Sequence, residues 1–365
     1  MPVTLGPTAL AELRRPRAYP AVSVLLPTHR REPENAQDAL RLRNLLAEAK
    51  ERIQADPAVS RADRIDVVGQ LDRALAEVDL VHAEDGLVLF AAPGEHRVYS
   101  LDRTVPARVV VSDTFLTRNL VAAQAAAQPY WVLAVSADHS TLWSGGPVRA
   151  VQHTGEGFPL VRSLEDPDAE RQERIGDLPS TFRDEQTRQF LRQAQTAVGA
   201  VLGADPRPLY LVGESAALSL LDEVGTATHD AVAHVVRGGL GQGPAEAVWQ
   251  AVQPAVRDRA AQEVTIVLDE LDKARGRREF AAGIDEVWQK ASTGRVGLLV
   301  IEEQYRVTVR DEGDHLVPAE PGDEGSRDDI VDHVVEHALD TGARVRFVPD
   351  GTLDDQGHIA AVLRY

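Results

Sequence analysis

Residues 21–53 read AVSVLLPTHRREPENAQDALRLRNLLAEAKERI, and the change of pattern inside this stretch decides the fold. Ala21 to Leu26 is a short apolar run rich in β-branched residues, which reads as a buried strand. The chain then turns polar at Pro27, Thr28, His29, Arg30 and Arg31. Glu32, Pro33 and Glu34 place a proline and acids where the first turn of a helix favours them. From Asn35 to Ile53 the apolar residues Ala36, Leu40, Leu42, Leu45, Leu46, Ala49 and Ile53 recur mostly every three or four positions, as on one helical face. A strand that leads through a basic exit into an amphipathic helix points to an α/β chain.

Working outward, a second helix is expected from Arg61 to Val81. It is followed by strands at Gly86 to Ala91 and Glu95 to Leu101, joined by the turn Ala92-Pro93-Gly94, and by a further strand near Ala107 to Val111. The Ala/Gln-rich stretch Asn119 to Pro129 reads as a connector. A second unit begins at the strand Tyr130 to Ser136, and the strands Thr141 to Ser144 and Pro147 to Val151 flank a Gly145-Gly146 turn. Gln152 to Phe182 is polar and lacks a period, as in a long flexible loop. Helix (Asp184 to Leu202), strand (Pro208 to Val212), helix (Ser215 to Glu223), strand (Ala231 to Val236) and helix (from Pro244) then alternate, which indicates parallel pairing. A third segment follows Pro254. It holds the strand Val296 to Ile301, an acidic surface excursion from Asp311 to Asp328, the helix Asp329 to Leu339 and the strands Ala343 to Val348 and Ile359 to Arg364, a smaller α/β sandwich.

At 365 residues the chain exceeds the roughly 250 to 300 residues at which single cores stop growing, so several domains are expected. The absence of cysteine excludes disulfides, thiolate metal sites and a catalytic thiol. No stretch approaches the ~18 apolar residues of a membrane span, and the start lacks a secretory apolar core, so a cytoplasmic location and no membrane partner are expected. A formal net charge of −18 opposes indiscriminate nucleic-acid binding, DNA included; any RNA contact has to be local.

Four motifs bear on chemistry. His333-Val334-Val335-Glu336-His337 fits the pattern H-x-x-E-H, but no glutamate follows His337 to complete a zinc site, so the stretch reads as a solvated helix face and no metal is expected. Gly213-Glu214-Ser215-Ala216-Ala217 partly matches a nucleophile elbow, although Ser215 reads more simply as a helix N-cap. Gly238, Gly239, Gly241, Gln242 and Gly243 form a glycine-rich strand-to-helix connection that lacks the lysine and hydroxyl of a P-loop, and it reads as a flexible loop. Thr28, His29, Arg30 and Arg31, continued by Arg41 and Arg43 with Lys50 and Arg52, gather cationic groups at the end of a buried strand, where arginine pairs well with phosphate. The alternative is a solvated helix face with internal pairs to Glu34, Asp38, Glu48 and Glu51.

SVLLPTHRREPENAQDALRLRNLLAEAKERI (23–53), DGLVLFAAPGEHRVYSL (85–101), YWVLAVSADHSTLW (130–143), PLYLVGESAALSLLDEV (208–224), GRVGLLVIEEQ (294–304) and AAVLRY (360–365) follow one another in the chain. In this order they resemble the third family of bacterial archaeo-eukaryotic release factor homologues. The resemblance implies a three-domain, release-factor-like α/β architecture: residues 1–125 as an N-terminal domain, 126–270 as a ribonuclease-H-like middle domain, and 271–365 as a C-terminal domain like the ribosomal proteins that bind kink-turn RNA. It also implies the ribosome as partner, through ribosomal RNA and ribosomal proteins, and the A site as destination. Release factors carry a Gly-Gly-Gln loop early in the middle domain, near Gln152 to Phe182 here, yet no Gly-Gly-Gln occurs in this chain. The expectation is therefore a non-catalytic ribosome-binding factor for hibernation or rescue, without a cofactor. A serine hydrolase built on Ser215 and a stress-response adaptor that binds proteins are the alternatives.

Overall fold

The computed structural model describes residues 7–126, 128–147, 149–162, 180–313, 315–320, 323, 325–327 and 329–365. It forms two compact units, Met1–Ala126 with Ile266–Tyr365, and Ala127–Thr265.

In the first unit a short helix α1 (Pro7–Leu13) precedes β1 (Ala21–Pro27). A 3-10 turn (Glu34–Gln37) leads into α2 (Asp38–Ala55), and α3 (Arg61–Glu77) follows. The strands β2 (Gly86–Ala92), β3 (Glu95–Leu101) and β4 (Arg108–Ser112) complete an antiparallel sheet of order β3-β2-β1-β4. Side chains alternate across a strand. Val22, Val24 and Leu26 therefore meet Leu42, Leu46, Ile53 and Leu71 of α2 and α3, while Ala21 and Leu25 meet Phe90, Phe115 and Leu120 on the other face. Burial on both faces explains why β1 reads as an unbroken apolar run. Ser23, the polar exception, is fully buried and accepts the Leu116 amide at 2.9 Å.

The expected connector after residue 118 is instead a helix, α4 (Arg118–Ala126). Alanine-rich sequence has high helix propensity, and Leu120, Val121 and Ala123 bury in the same core as Phe90.

The second unit is built on β5 (Tyr130–Val135), β6 (His139–Gly145), β7 (Ala150–Gln152) and a short β8 (Leu160–Val161). Then come α5 (Ser180–Ala204), β9 (Leu209–Gly213), α6 (Ser215–Val224), β10 (Ala233–Val236) and the start of α7 (Ala245–Arg277), whose residues from Ile266 on belong to the first unit. Strand order is β10-β9-β5-β6-β7, with β5, β9 and β10 parallel and the β5, β6, β7 meander antiparallel. Trp131, Leu133 and Val135 pack with Leu191 and Val198 of α5 and Leu218 of α6. Tyr130, Val132 and Ala134 pack with Val248 and Val252 of α7 on the opposite face. Gly145 belongs to β6, where it pairs with Ala150; the expected two-residue Gly145-Gly146 turn is thus a longer connection. Much of the expected loop Gln152 to Phe182 lies outside the described residues, although Leu160–Val161 within it pairs with β6.

The C-terminal part of the first unit contains β11 (Phe280–Ala282), α8 (Ile284–Ser292), β12 (Val296–Glu302), α9 (Ile330–Asp340), β16 (Arg344–Val348) and β17 (Ile359–Leu363). Its sheet has the order β11-β17-β12-β16. Val287 and Ala291 of α8 and Val331, Val334 and Val335 of α9 bury against Leu299 and Ile301. The acidic excursion carries strands of its own: β13 (Val309–Asp311), β14 (Leu316–Pro318) and β15 (Ser326–Arg327) make a small antiparallel sheet. Val309 and Leu316 anchor it to the core, and two apolar residues so far apart gave no periodic signal.

Candidate functional site

The basic stretch after β1 is built from short-range geometry. Thr28 is buried; its amide donates to the Asp85 carbonyl at 3.1 Å and its hydroxyl to the Glu84 carbonyl at 2.8 Å. His29 turns back onto the first residue of α2, donating its amide to Asp38 Oδ2 at 2.8 Å with Nδ1 3.0 Å from Oδ1. An acid at a helix N-terminus complements the dipole, and Asp38, only 1% exposed, is well supplied with donors.

The guanidiniums there divide into two groups. Arg30 makes a bidentate contact to Asp85 at 2.7 and 3.0 Å, which together with neighbouring carboxylates holds its pKa above the usual value against the effect of burial. Arg41 lies 3.5 Å from Asp38, Arg52 lies 2.7 Å from Glu48, and Lys50 pairs with Asp72. Arg31 and Arg43 are exposed and make no ion pair among the described residues. The cationic side chains of α2 flank its buried face on both sides, Arg41 and Arg52 on one and Arg43 and Lys50 on the other, and among the described residues Arg31 and Arg43 are the two arginines of the predicted group without an ion pair.

The glycine-rich connection Gly238 to Gly243 lies at the carboxyl ends of the parallel strands β5, β9 and β10. The Arg237 amide donates to the Gly213 carbonyl at 2.8 Å, and the Thr141 hydroxyl to the Gly241 carbonyl at 3.3 Å. A Cβ on Gly238 would stand 2.9 Å from Glu214, and one on Gly241 3.1 Å from the Ser136 hydroxyl. Gly239 has φ +77°, and Gln242 contacts the His139 ring through its amide nitrogen. Glycine is therefore favoured at 239 by backbone conformation and at 241 by close approach, whereas the exposed Glu214 side chain can move away from position 238. Ser215 is the first residue of α6, and Glu214 occupies the cap position without a side-chain hydrogen bond; the N-cap expectation for Ser215 is overturned. Its side chain is exposed, and among the described residues no histidine hydrogen-bonds to its hydroxyl.

The H-x-x-E-H stretch lies on α9, but it is not a solvated face: Glu336 is buried, beside the equally buried Asp332. Asp332 Oδ1 accepts the Arg118 amide at 2.7 Å. Burial and Asp329 nevertheless push the Asp332 carboxyl up to about 7. Burial, then Asp332 and Asp340, push Glu336 up to about 9. Asp329 serves two arginines, Arg108 at 2.6 Å and Arg118 at 3.2 Å. Sequence reading missed this group, because its partners are more than two hundred residues apart.

Among the described residues the ligand atoms of Glu302, Asp354 and His358 come within 4.8 Å of one another. Glu302 already accepts the Leu353 amide at 2.6 Å and lies 2.8 Å from His358 Nδ1. The trio therefore serves to tie the loop before β17 to the end of β12.

Among the described residues no helix is long and apolar enough to cross a membrane. The architecture is mixed α/β with several sheets, in agreement with the fold class read from the sequence. Residues 129–295 match the model of the family described as Bacterial archaeo-eukaryotic release factor family 3, which bears out the sequence resemblance over that stretch. No curated protein matches the chain. Solved structures give more distant likenesses. The crystal structure of the archaeal translation termination factor aRF1 aligns at 18% identity over 98% of this chain and 96% of that one, with a TM-score of 0.25. Archaeoglobus fulgidus Pelota aligns at 14% identity over 76% and 79%, with a TM-score of 0.36. Dom34 of S. cerevisiae, a translation termination-like factor involved in RNA quality control, aligns at 11% identity over 76% and 79%, with a TM-score of 0.42.

Proposed function

We propose that this chain is a release-factor-like translation factor that binds the ribosome, occupying the A site of idle or stalled ribosomes in hibernation or rescue. The family match over residues 129–295 carries the reading, and the ordered sequence blocks on either side of that stretch extend it. Three functional parts are proposed: 1–125, a ribonuclease-H-like 126–270, and a kink-turn-protein-like 271–365. An antiparallel meander followed by two parallel strands added beside its first strand, the order of the second unit, supports the middle assignment.

Peptidyl-tRNA hydrolysis is left out of the proposal, because no Gly-Gly-Gln is present. Binding requires no cofactor. With a net charge of −18, the protein has to approach ribosomal RNA through local cationic groups; Arg31 and Arg43 are the two of the amino-terminal cluster that are free to do so. The test is cosedimentation of the purified full chain with idle and with stalled ribosomes at physiological salt. Protein in the ribosomal pellet is the expected result, and complete recovery in the supernatant with both samples would refute the proposal.

A further inference from the structure

The loop from Glu303 to Thr308, which follows β12, is fixed at nearly every residue. The Glu303 amide donates to the Val348 carbonyl at 3.0 Å, and the Gln304 amide to Asp350 Oδ1 at 2.9 Å. Arg118 Nη1 donates to the Tyr305 carbonyl at 2.7 Å, and the Ile330 amide to the Val307 carbonyl at 3.4 Å. Between these anchored neighbours stands Arg306, which is exposed and makes no ion pair or hydrogen bond among the described residues.

Its surroundings are cationic. Arg118, which holds the preceding carbonyl, and Arg108 both converge on Asp329, at 3.2 and 2.6 Å. Glu303, the nearest acid on the loop itself, is paired with Arg103 at 2.8 Å. Arg306 thus lies in the field of the Arg108 and Arg118 guanidiniums and of Asp329. Partial desolvation of this largely exposed side chain, followed by Arg108 and Arg118, lowers the Arg306 pKa, and Asp329 offsets this only in part. Because Arg306 makes no ion pair among the described residues, it adds no salt bridge to the fold. A guanidinium with free parallel N–H donors, carried on a backbone anchored on both sides, can match a phosphate.

We propose that Arg306, in the field of Arg108 and Arg118, binds a phosphate group of an RNA backbone. The choice of RNA over a free phosphate rests on the ribosome-binding reading; the anion site itself does not.

Two measurements on the full chain separate these layers. In the first, thermal unfolding is followed with added pyrophosphate as the phosphate probe. The midpoint should rise in the parent chain and fail to rise in Arg306→Ala, with Arg306→Lys in between. In the second, ribosome affinity is measured against salt concentration. Each phosphate contact contributes roughly 0.7 to 0.9 to the slope of log K against log salt, so Arg306→Ala should flatten that slope by about this amount and weaken binding about tenfold at low salt. Equal pyrophosphate responses in parent and Arg306→Ala, or none in either, overturn the site. A lost pyrophosphate response together with no ribosome binding by the parent chain keeps the anion site and sinks the ribosome reading. An unchanged slope with the parent chain bound keeps the ribosome reading and removes RNA as the ligand of Arg306.

Discussion

The backbone amide of Arg118 donates to Oδ1 of Asp332 at 2.7 Å, across 214 residues of sequence. One carboxylate on α9 thereby caps the start of α4, a helix whose first amides have no intrahelical acceptor. Two opposed effects meet at that carboxyl. The amide and the charge of Arg118 favour its charged form, and burial with Asp329 favours the neutral one. Arg118 adds a second tie by reaching Asp329 and the Tyr305 carbonyl. The N-terminal and C-terminal parts of the first unit are therefore joined by polar groups.

Asp332→Ala removes the acceptor and leaves the buried Arg118 amide unsatisfied. An orphaned donor costs about 1 to 3 kcal/mol, so the urea midpoint of the unit should fall markedly. Asp332→Asn keeps an oxygen acceptor at similar volume and should fall less. Equal losses in the two variants would show that the charge, rather than the hydrogen bond, holds α4 in place.

Glu336 gives a pH-dependent counterpart. Its folded pKa is raised to about 9, against about 4.3 for a free glutamate. The fold thus favours the protonated form, and stability is lost as pH rises from the unfolded value towards the folded one. Glu336→Gln imitates the neutral state permanently. Its melting temperature should match that of the parent chain near pH 4 and exceed it increasingly up to pH 8, by an amount on the order of a few kcal/mol in stability. Parallel melting curves for the two proteins across that range would contradict the assigned burial effect.

The layers of this fold were legible where the chemistry is local. AVSVLL announced a strand buried on both faces, and the spacing of Leu42, Leu46, Ala49 and Ile53 announced the helix that covers it. What escaped was set at long range. Ala-rich α4 read as a connector because its helical partners, Asp332 among them, lie on another element. Glu336 read as solvated because the helix pattern cannot distinguish a carboxylate facing water from one facing a second buried acid. The same limit applied to the candidate site. Sequence gathered Arg30, Arg31, Arg41 and Arg43, but only the folded chain reveals that Asp85 and Asp38 have already engaged two of them. Arg306 stood out in neither charge nor period, since its significance lies in Arg108 and Arg118.

Gly213 should not tolerate a side chain. An added Cβ would stand 2.6 Å from the Val135 carbonyl oxygen and 2.9 Å from a Val135 methyl, where β9 pairs with β5. Overpacking of this kind costs about 1 to 3 kcal/mol, so Gly213→Ala should unfold at lower temperature. Gly203, in α5, provides the control, because a Cβ added there would meet nothing within 4 Å. Gly203→Ala should gain about 0.5 to 1 kcal/mol from helix propensity. Destabilisation by both substitutions to the same degree would mean that the close approach at β9 is not the cause.

The amino-terminal arginines separate by their partners. Arg30 is held by Asp85 through two hydrogen bonds, so freeing it for a phosphate means breaking a bidentate pair. Arg31 and Arg43 face no such competition. Charge reversal at both, Arg31→Glu with Arg43→Glu, should reduce ribosome affinity by about tenfold at low salt, with a smaller difference at high salt as screening sets in. Arg30→Ala should change affinity less and should slightly lower stability, because exposed pairs contribute only about 0.2 to 1 kcal/mol. If Arg30→Ala weakened ribosome binding more than the double reversal did, the Asp85 pair would have to open on the ribosome, and the division of this cluster into engaged and available arginines would be wrong.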